Sequence, residues 1–126
     1  MEIVNIQKYI HTSPRKLRLV AGMVRKMRPA QAVLSLRFTN KAAAQPLIKA
    51  IETALANARQ QKLTEEMVAF KSLEVNEAVR MRRMRAGSRG RGKPYKKRMS
   101  HIKVVLTSEL PEQKVKASAV TVKEKE

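Results

Sequence analysis

Ten of the nineteen residues from Arg80 to Arg98 are Lys or Arg, and none is acidic. They are Arg80, Arg82, Arg83, Arg85, Arg89, Arg91, Lys93, Lys96, Lys97 and Arg98. Arginine dominates the first half, where its planar fork of donors suits bidentate phosphate contacts and stacking on splayed bases. Side chains alternate faces along a strand, so Arg83 and Arg85 point one way and Arg80 and Arg82 the other. Both faces of an extended ribbon would then be cationic. A two-stranded ribbon with so little apolar content is marginal in water, and phosphates on both sides would order it. Tyr95 is the one aromatic in the run. Stacking on a base and packing across the strand pair both account for it.

A second cationic group, Arg15, Lys16 and Arg18, opens a helix just after Ser13-Pro14. Free backbone N–H groups at a helix start favour phosphate, although an exposed helix face would look the same. Other chemistry finds no support. His11 and His101 lack cysteine partners, and no aspartate exists to complete a triad. Gly87-Ser88-Arg89-Gly90-Arg91-Gly92 lacks the Lys-Ser/Thr pair of a nucleotide loop. No catalytic residue, metal or cofactor is expected.

The whole chain, 126 residues with 28 basic and 10 acidic side chains, carries a net charge of +18. Self-repulsion on that scale opposes compactness unless counter-charge arrives, which nucleic acid supplies while releasing its own condensed cations. A membrane surface is a weaker partner, because its attraction needs an amphipathic basic helix or a lipid anchor, and no lipidation signal is visible. The aromatics Tyr9, Phe38, Phe70 and Tyr95 are too scattered for the platform of a single-strand binder. No apolar run approaches a spanning helix and no targeting segment is recognised, so a soluble cytoplasmic protein is expected.

Several elements must position these cations. Residues 3–10 read as a half-buried strand with Val4, Ile6 and Ile10 on its inner face. After Ser13-Pro14, the spacing of Leu17, Val20, Ala21 and Val24 predicts a helix, which Pro29 ends. Pro29 can open a second helix with Val33 and Leu34 inward and Phe38 closing the run. A third helix, capped by Thr39 or Asn40, carries the stripe Ala44, Leu47, Ile48, Ile51, Leu55 and Ala58. Pro46 requires that helix to start late or to bend. Thr64 can cap a short turn. Alternation at Leu73, Val75, Glu77 and Val79, and again at Ile102, Val104 and Leu106, predicts two antiparallel strands centred near Arg89-Gly90. Gly87, Gly90 and Gly92 give the tip its backbone freedom. Residues 1–110 would form one domain with the hairpin 80–98 projecting from it, and 111–126 a mobile tail.

Four blocks in order then resemble one family over Tyr9 to Thr107. They are Ser13-Pro14-Arg15-Lys16-Leu17-Arg18-Leu19-Val20, Phe38-Thr39-Asn40-Lys41-Ala42-Ala43, Ala54-Leu55-Ala56-Asn57-Ala58 and Lys97-Arg98-Met99-Ser100-His101-Ile102. Gly90-Arg91 followed at the family's spacing by His101-Ile102 is similar to its hairpin signature. The family is the bacterial-type ribosomal protein twenty-two of the large subunit. This chain departs from it at Ala78-Val79, where glycine-proline is usual, and at Gly87, where arginine is usual.

The resemblance implies an α+β fold, three helices packed on a small antiparallel three-stranded sheet with a long protruding β-hairpin. It implies a structural role in the large ribosomal subunit, binding of 23S-type ribosomal RNA early in assembly, and a hairpin tip that lines the nascent-peptide exit tunnel. The basic residues named above, with Ser88 and His101, become the expected RNA contacts. Met84, Arg85, Ala86, Gly87, Ser88, Arg89, Gly90, Arg91 and Gly92 become the tunnel-lining tip. Neighbouring ribosomal proteins, including ribosomal protein four at the constriction, and the nascent peptide are the further partners implied; no homo-oligomer is expected, and a plastid-encoded copy would look similar. From the residues alone, an architectural DNA-binding protein clamping the minor groove with a basic arm is the alternative.

Overall fold

The computed structural model describes residues 1–108 of the chain, so the expected tail at 111–126 lies outside the described residues. The element order is β1 (Glu2–Ile10), α1 (Pro14–Val24), α2 (Pro29–Phe38), α3 (Ala44–Gln60), β2 (Ala69–Glu77), β3 (Met81–Ala86), β4 (Gly92–Lys97) and β5 (Ser100–Thr107), with 3-10 turns at Glu65–Met67 between α3 and β2 and at Ser88–Gly90 between β3 and β4. Strands β1, β5 and β2 form an antiparallel sheet in that spatial order. Strands β3 and β4 form a second, two-stranded sheet.

Helix α1 follows the sequence closely. Pro14 sits at its first turn, where no N–H is needed, and Leu17, Val20, Ala21 and Val24 are all buried. Helix α3 buries Ala44, Leu47, Ile48, Ile51, Leu55 and Ala58 as one stripe. It begins at Ala44, which places Pro46 inside the first turn, where its missing donor breaks no hydrogen bond. The late start resolves the awkward proline. Ala43 stands at the N-cap, and the Thr39 hydroxyl instead donates to Ser35 O at 3.0 Å.

Two expected faces are corrected. In β1 the register with β5 pairs Ile3 with Leu106, Asn5 with Val104 and Gln7 with Ile102, which turns Ile3, Asn5 and Gln7 toward the helices. Val4 and Ile6 lie on the opposite face, 51% and 50% exposed. Asn5 is tolerated inward because its Nδ2 donates to Ala50 O on α3 at 2.8 Å. Tyr9, at φ 57°, and the register shift between Gln7 and Ile10 then reset the phase, and Ile10 packs against the core. In α2 the buried stripe is Pro29, Ala32, Val33 and Leu36, a clean i, i+3, i+4, i+7 series, while Leu34 and Phe38 face outward.

The core lies between the helices and the inner face of the sheet, where β5 contributes Ile102, Val104 and Leu106, each fully buried. β2 adds Leu73 and Val75 from one edge; Val79, past its end, is exposed. That edge is closed by α1. Arg25 Nη2 donates to Leu73 O at 3.0 Å and Arg18 Nε to Val75 O at 3.1 Å, so two carbonyls that would otherwise invite another strand are occupied. Replacing both arginines by alanine should lower stability by about 1–2 kcal/mol, since each removes a charge-assisted bond at a partly exposed site. Urea unfolding of the pair against wild type measures it; superimposable curves would mean the carbonyls are equally well served by water.

Candidate nucleic-acid interface

At the base of the arm the ladder of the main sheet stops on both sides at the same level. Ala78–Arg80 leaves β2, and Arg98–Met99 precedes β5, with only the Ala78 N–H donating across to Met99 O at 3.1 Å. The chain leaves the main sheet here through Ala78-Val79, with no glycine or proline at either position. Met99 and Ser100 are buried, and the Ser100 hydroxyl donates to Thr12 O at 2.9 Å, which ties the root of the arm to the loop before α1.

Beyond that root, β3 and β4 pair from Met81 with Lys97 to Ala86 with Gly92. Six residues per strand give roughly 20 Å of paired ribbon. The tip closes through the Gly87 N–H on Arg91 O at 2.7 Å and the Arg91 N–H on Ser88 O at 3.3 Å. Arg89 and Gly90 both adopt the left-handed region, at φ 55° and 68°, so the turn reverses on a non-glycine residue followed by the one that suits it.

The register decides which cations share a face. One face carries Met81, Arg83, Arg85, Lys93, Tyr95 and Lys97. The other carries Arg82, Met84, Ala86, Gly92, Pro94 and Lys96. Both faces are cationic, as alternation implied, but unevenly: four charges and an aromatic against two charges near the root and an apolar stretch near the tip. Met84, 74% exposed, lies with its methyl against Gly92, where an added Cβ would push that flexible side chain aside. On the cationic face the Arg85 guanidinium lies over the Tyr95 ring, 5.5 Å from its centroid.

The predicted contact residues are not all equally free. Arg80 Nη2 donates to Glu77 Oε2 at 2.7 Å. That hydrogen bond, then the charge of Arg80, holds the Glu77 carboxyl below the usual carboxylate range, and Arg18 and Arg98 lower it further. Arg80 is thus the cation bonded to this carboxylate, with Arg18 and Arg98 adding weaker attraction. Among the described residues no ion pair engages Arg82, Arg83, Arg85, Arg89, Arg91, Lys93, Lys96, Lys97 or Arg98. Arg15 and Lys16 are exposed on the first turn of α1, with Arg18 following and spent partly on β2. His101 is half-buried beside β1: its Nδ1 accepts from the Tyr9 N–H at 3.0 Å, and the two rings meet edge-on at 4.9 Å.

The fold therefore brings the hairpin cations together, pairs Arg80 with Glu77, and gives His101 and Arg18 internal bonds. Sequence reasoning missed Arg25 altogether, as well as the pairing of Arg85 with Tyr95. The first had no local signal. The second was implicit in the register, since side chains two positions apart across a strand pair are within reach of each other. No group of residues suited to a metal ion occurs among the described residues, and no helix there is long and apolar enough to cross a membrane.

Comparison with known proteins gives the arrangement its context. Residues 5–107 match the family model described as ribosomal protein L22p/L17e. A large ribosomal subunit protein uL22 from a Phytoplasma species (strain STRAWB2) is 40% identical over 104 residues, covering 82% of this chain and 81% of the relative. The protein of the same name from Leptospira biflexa serovar Patoc (strain Patoc 1 / Ames) is 41% identical over 109 residues, covering 85% and 94%. That from Granulibacter bethesdensis is 37% identical over 111 residues, covering 87% and 84%. The match spans the globule and the whole arm alike, and the chain belongs to the ribosomal protein L22p/L17e family, structural proteins of the large ribosomal subunit and not enzymes.

Proposed function

We propose that the chain binds large-subunit ribosomal RNA of the 23S type, joins the subunit early in assembly, and directs its hairpin tip, Met84 to Gly92, to the wall of the nascent-peptide exit tunnel. The observation that carries the reading is the ribbon Met81–Lys97: a narrow two-stranded arm whose cations, Arg80 at its root apart, have no acidic partner among the described residues. Such an arm gains its counter-charge from phosphates on either side, and the RNA is ordered along it in turn. Arg15 and Lys16 on α1 supply a second contact at the globule. Neighbouring ribosomal proteins, including ribosomal protein four opposite the tip, and the passing peptide are the remaining partners.

Tagged protein in a cell lysate is expected to co-sediment with large subunits and their precursors in sucrose gradients at moderate salt. Protein running free of subunits would overturn the reading. A photo-crosslinker placed at Arg89 should label nascent chains in translating ribosomes, and labelling of RNA alone would remove the tip from the tunnel while leaving the RNA contact intact.

A further inference from the structure

Resting on the RNA-binding reading of the arm, we infer that the Arg85 guanidinium and the Tyr95 ring together form a seat for one unpaired nucleobase, flanked by phosphate contacts at Arg83 and Lys93. Tyr95 is directly opposite Arg83 and diagonal to Arg85, which is itself opposite Lys93. The guanidinium lies over the ring, 5.5 Å from its centroid, and Tyr95 as a residue remains 43% exposed.

An aromatic whose only purpose was to pack the strand pair would sit among apolar neighbours. Tyr95 instead shares its face with Arg83, Arg85, Lys93 and Lys97, and with Met81, whose sulfur receives the Arg83 Nη2 donor at 3.4 Å. The cation–π contact favours this placement of the Arg85 guanidinium, so part of the entropy of presenting a cationic surface beside the ring is met before the ligand arrives. A flat cation backed by an aromatic and ringed by three further charges matches a splayed base between two phosphates. A paired base in a duplex offers no such plane, because its faces are already stacked.

Two RNA stems differing only in one bulged uridine test this with the full-length chain, by fluorescence anisotropy over a series of salt concentrations. Wild type is expected to bind the bulged stem about tenfold more tightly than the perfect one. Tyr95→Leu and Arg85→Lys, the latter keeping the charge but not the plane, should abolish that preference without changing the salt slope, and Tyr95→Phe should retain it. Tyr95 is outside the core, so thermal melts of the variants should match wild type. A preference that survives Tyr95→Leu, or an equal drop in affinity for both stems, overturns the seat. Steep salt dependence with no preference for the bulge overturns the seat alone. Absence of salt-dependent binding to either stem overturns the RNA-binding reading beneath it.

Discussion

Replacing Arg83 and Arg85 together by glutamate should weaken binding to large-subunit RNA by roughly a hundredfold near physiological salt, and lower the slope of affinity against salt by about 2 or more. Both residues lie on the more cationic face of the arm, and among the described residues neither forms an ion pair that would already neutralise it. Every phosphate that is no longer neutralised by the protein keeps close to one condensed counterion, which sets the change in slope. The substitution does more than delete charge. A glutamate at 85 would stand directly opposite Lys93, and the cross-strand pair it forms would draw that lysine away from RNA as well. The ribbon itself would be less self-repelling, so weaker binding would not reflect a melted arm. Filter binding across a salt series gives both quantities at once. An unchanged slope would remove these two residues from the interface, and reversal of Arg82 and Lys96, fewer charges on the other face, serves as the comparison with a smaller expected effect.

The parts of this molecule that were legible in the sequence are those where one physical term dominates. The stripes of α1 and α3 and the alternation of β2 and β5 are set by burial alone, and every apolar residue assigned to the core from them, Val79 excepted, is there. Pro46 left a late start or a bend open, and the helix takes the late start, at Ala44, beyond the caps expected at Thr39 or Asn40. β1 failed for the opposite reason. Its apolar residues Val4 and Ile6 face outward because pairing with β5 fixes the phase, and the polar Asn5 that takes the inner position is satisfied by a carbonyl on α3, forty-five residues away. A one-residue change of phase flips every side chain, and nothing local reveals it.

The site divides in the same way. That Arg80 to Arg98 forms a cationic arm follows from composition and period, but the division of its charges between faces follows from the tip. Arg89 and Gly90 in the left-handed region set the number of residues in the turn, and that number determines that Arg83 meets Tyr95 and Arg85 meets Lys93. Arginines on α1 illustrate the limit. Arg15 and Arg18 look equivalent in a basic cluster, yet Arg18, with Arg25 two turns on, serves the open edge of β2, a use that depends on where a strand far along the chain is laid down.

Leu47→Ala should cost about 3 kcal/mol of stability, whereas deletion of Met84 to Gly92 should leave the stability of the free protein nearly unchanged. Leu47 is fully buried on α3 in the cluster that joins the helices to the inner face of the sheet. Truncating it removes the γ and both δ carbons and leaves a cavity that close-packed neighbours cannot fill. The arm contributes none of its residues to that cluster, and its two strands pair only with each other. Its root is held independently by the Ala78–Met99 and Ser100–Thr12 hydrogen bonds, which the deletion does not touch. Thermal or urea unfolding of the free protein reads both variants, and RNA affinity reads them in the opposite order: the deletion should abolish most of it, while Leu47→Ala, assayed well below its midpoint, should keep it. A deletion that unfolds the globule would show that the arm shares the core's cooperativity, and the separation of folding from RNA recognition that follows from the two sheets would then be wrong.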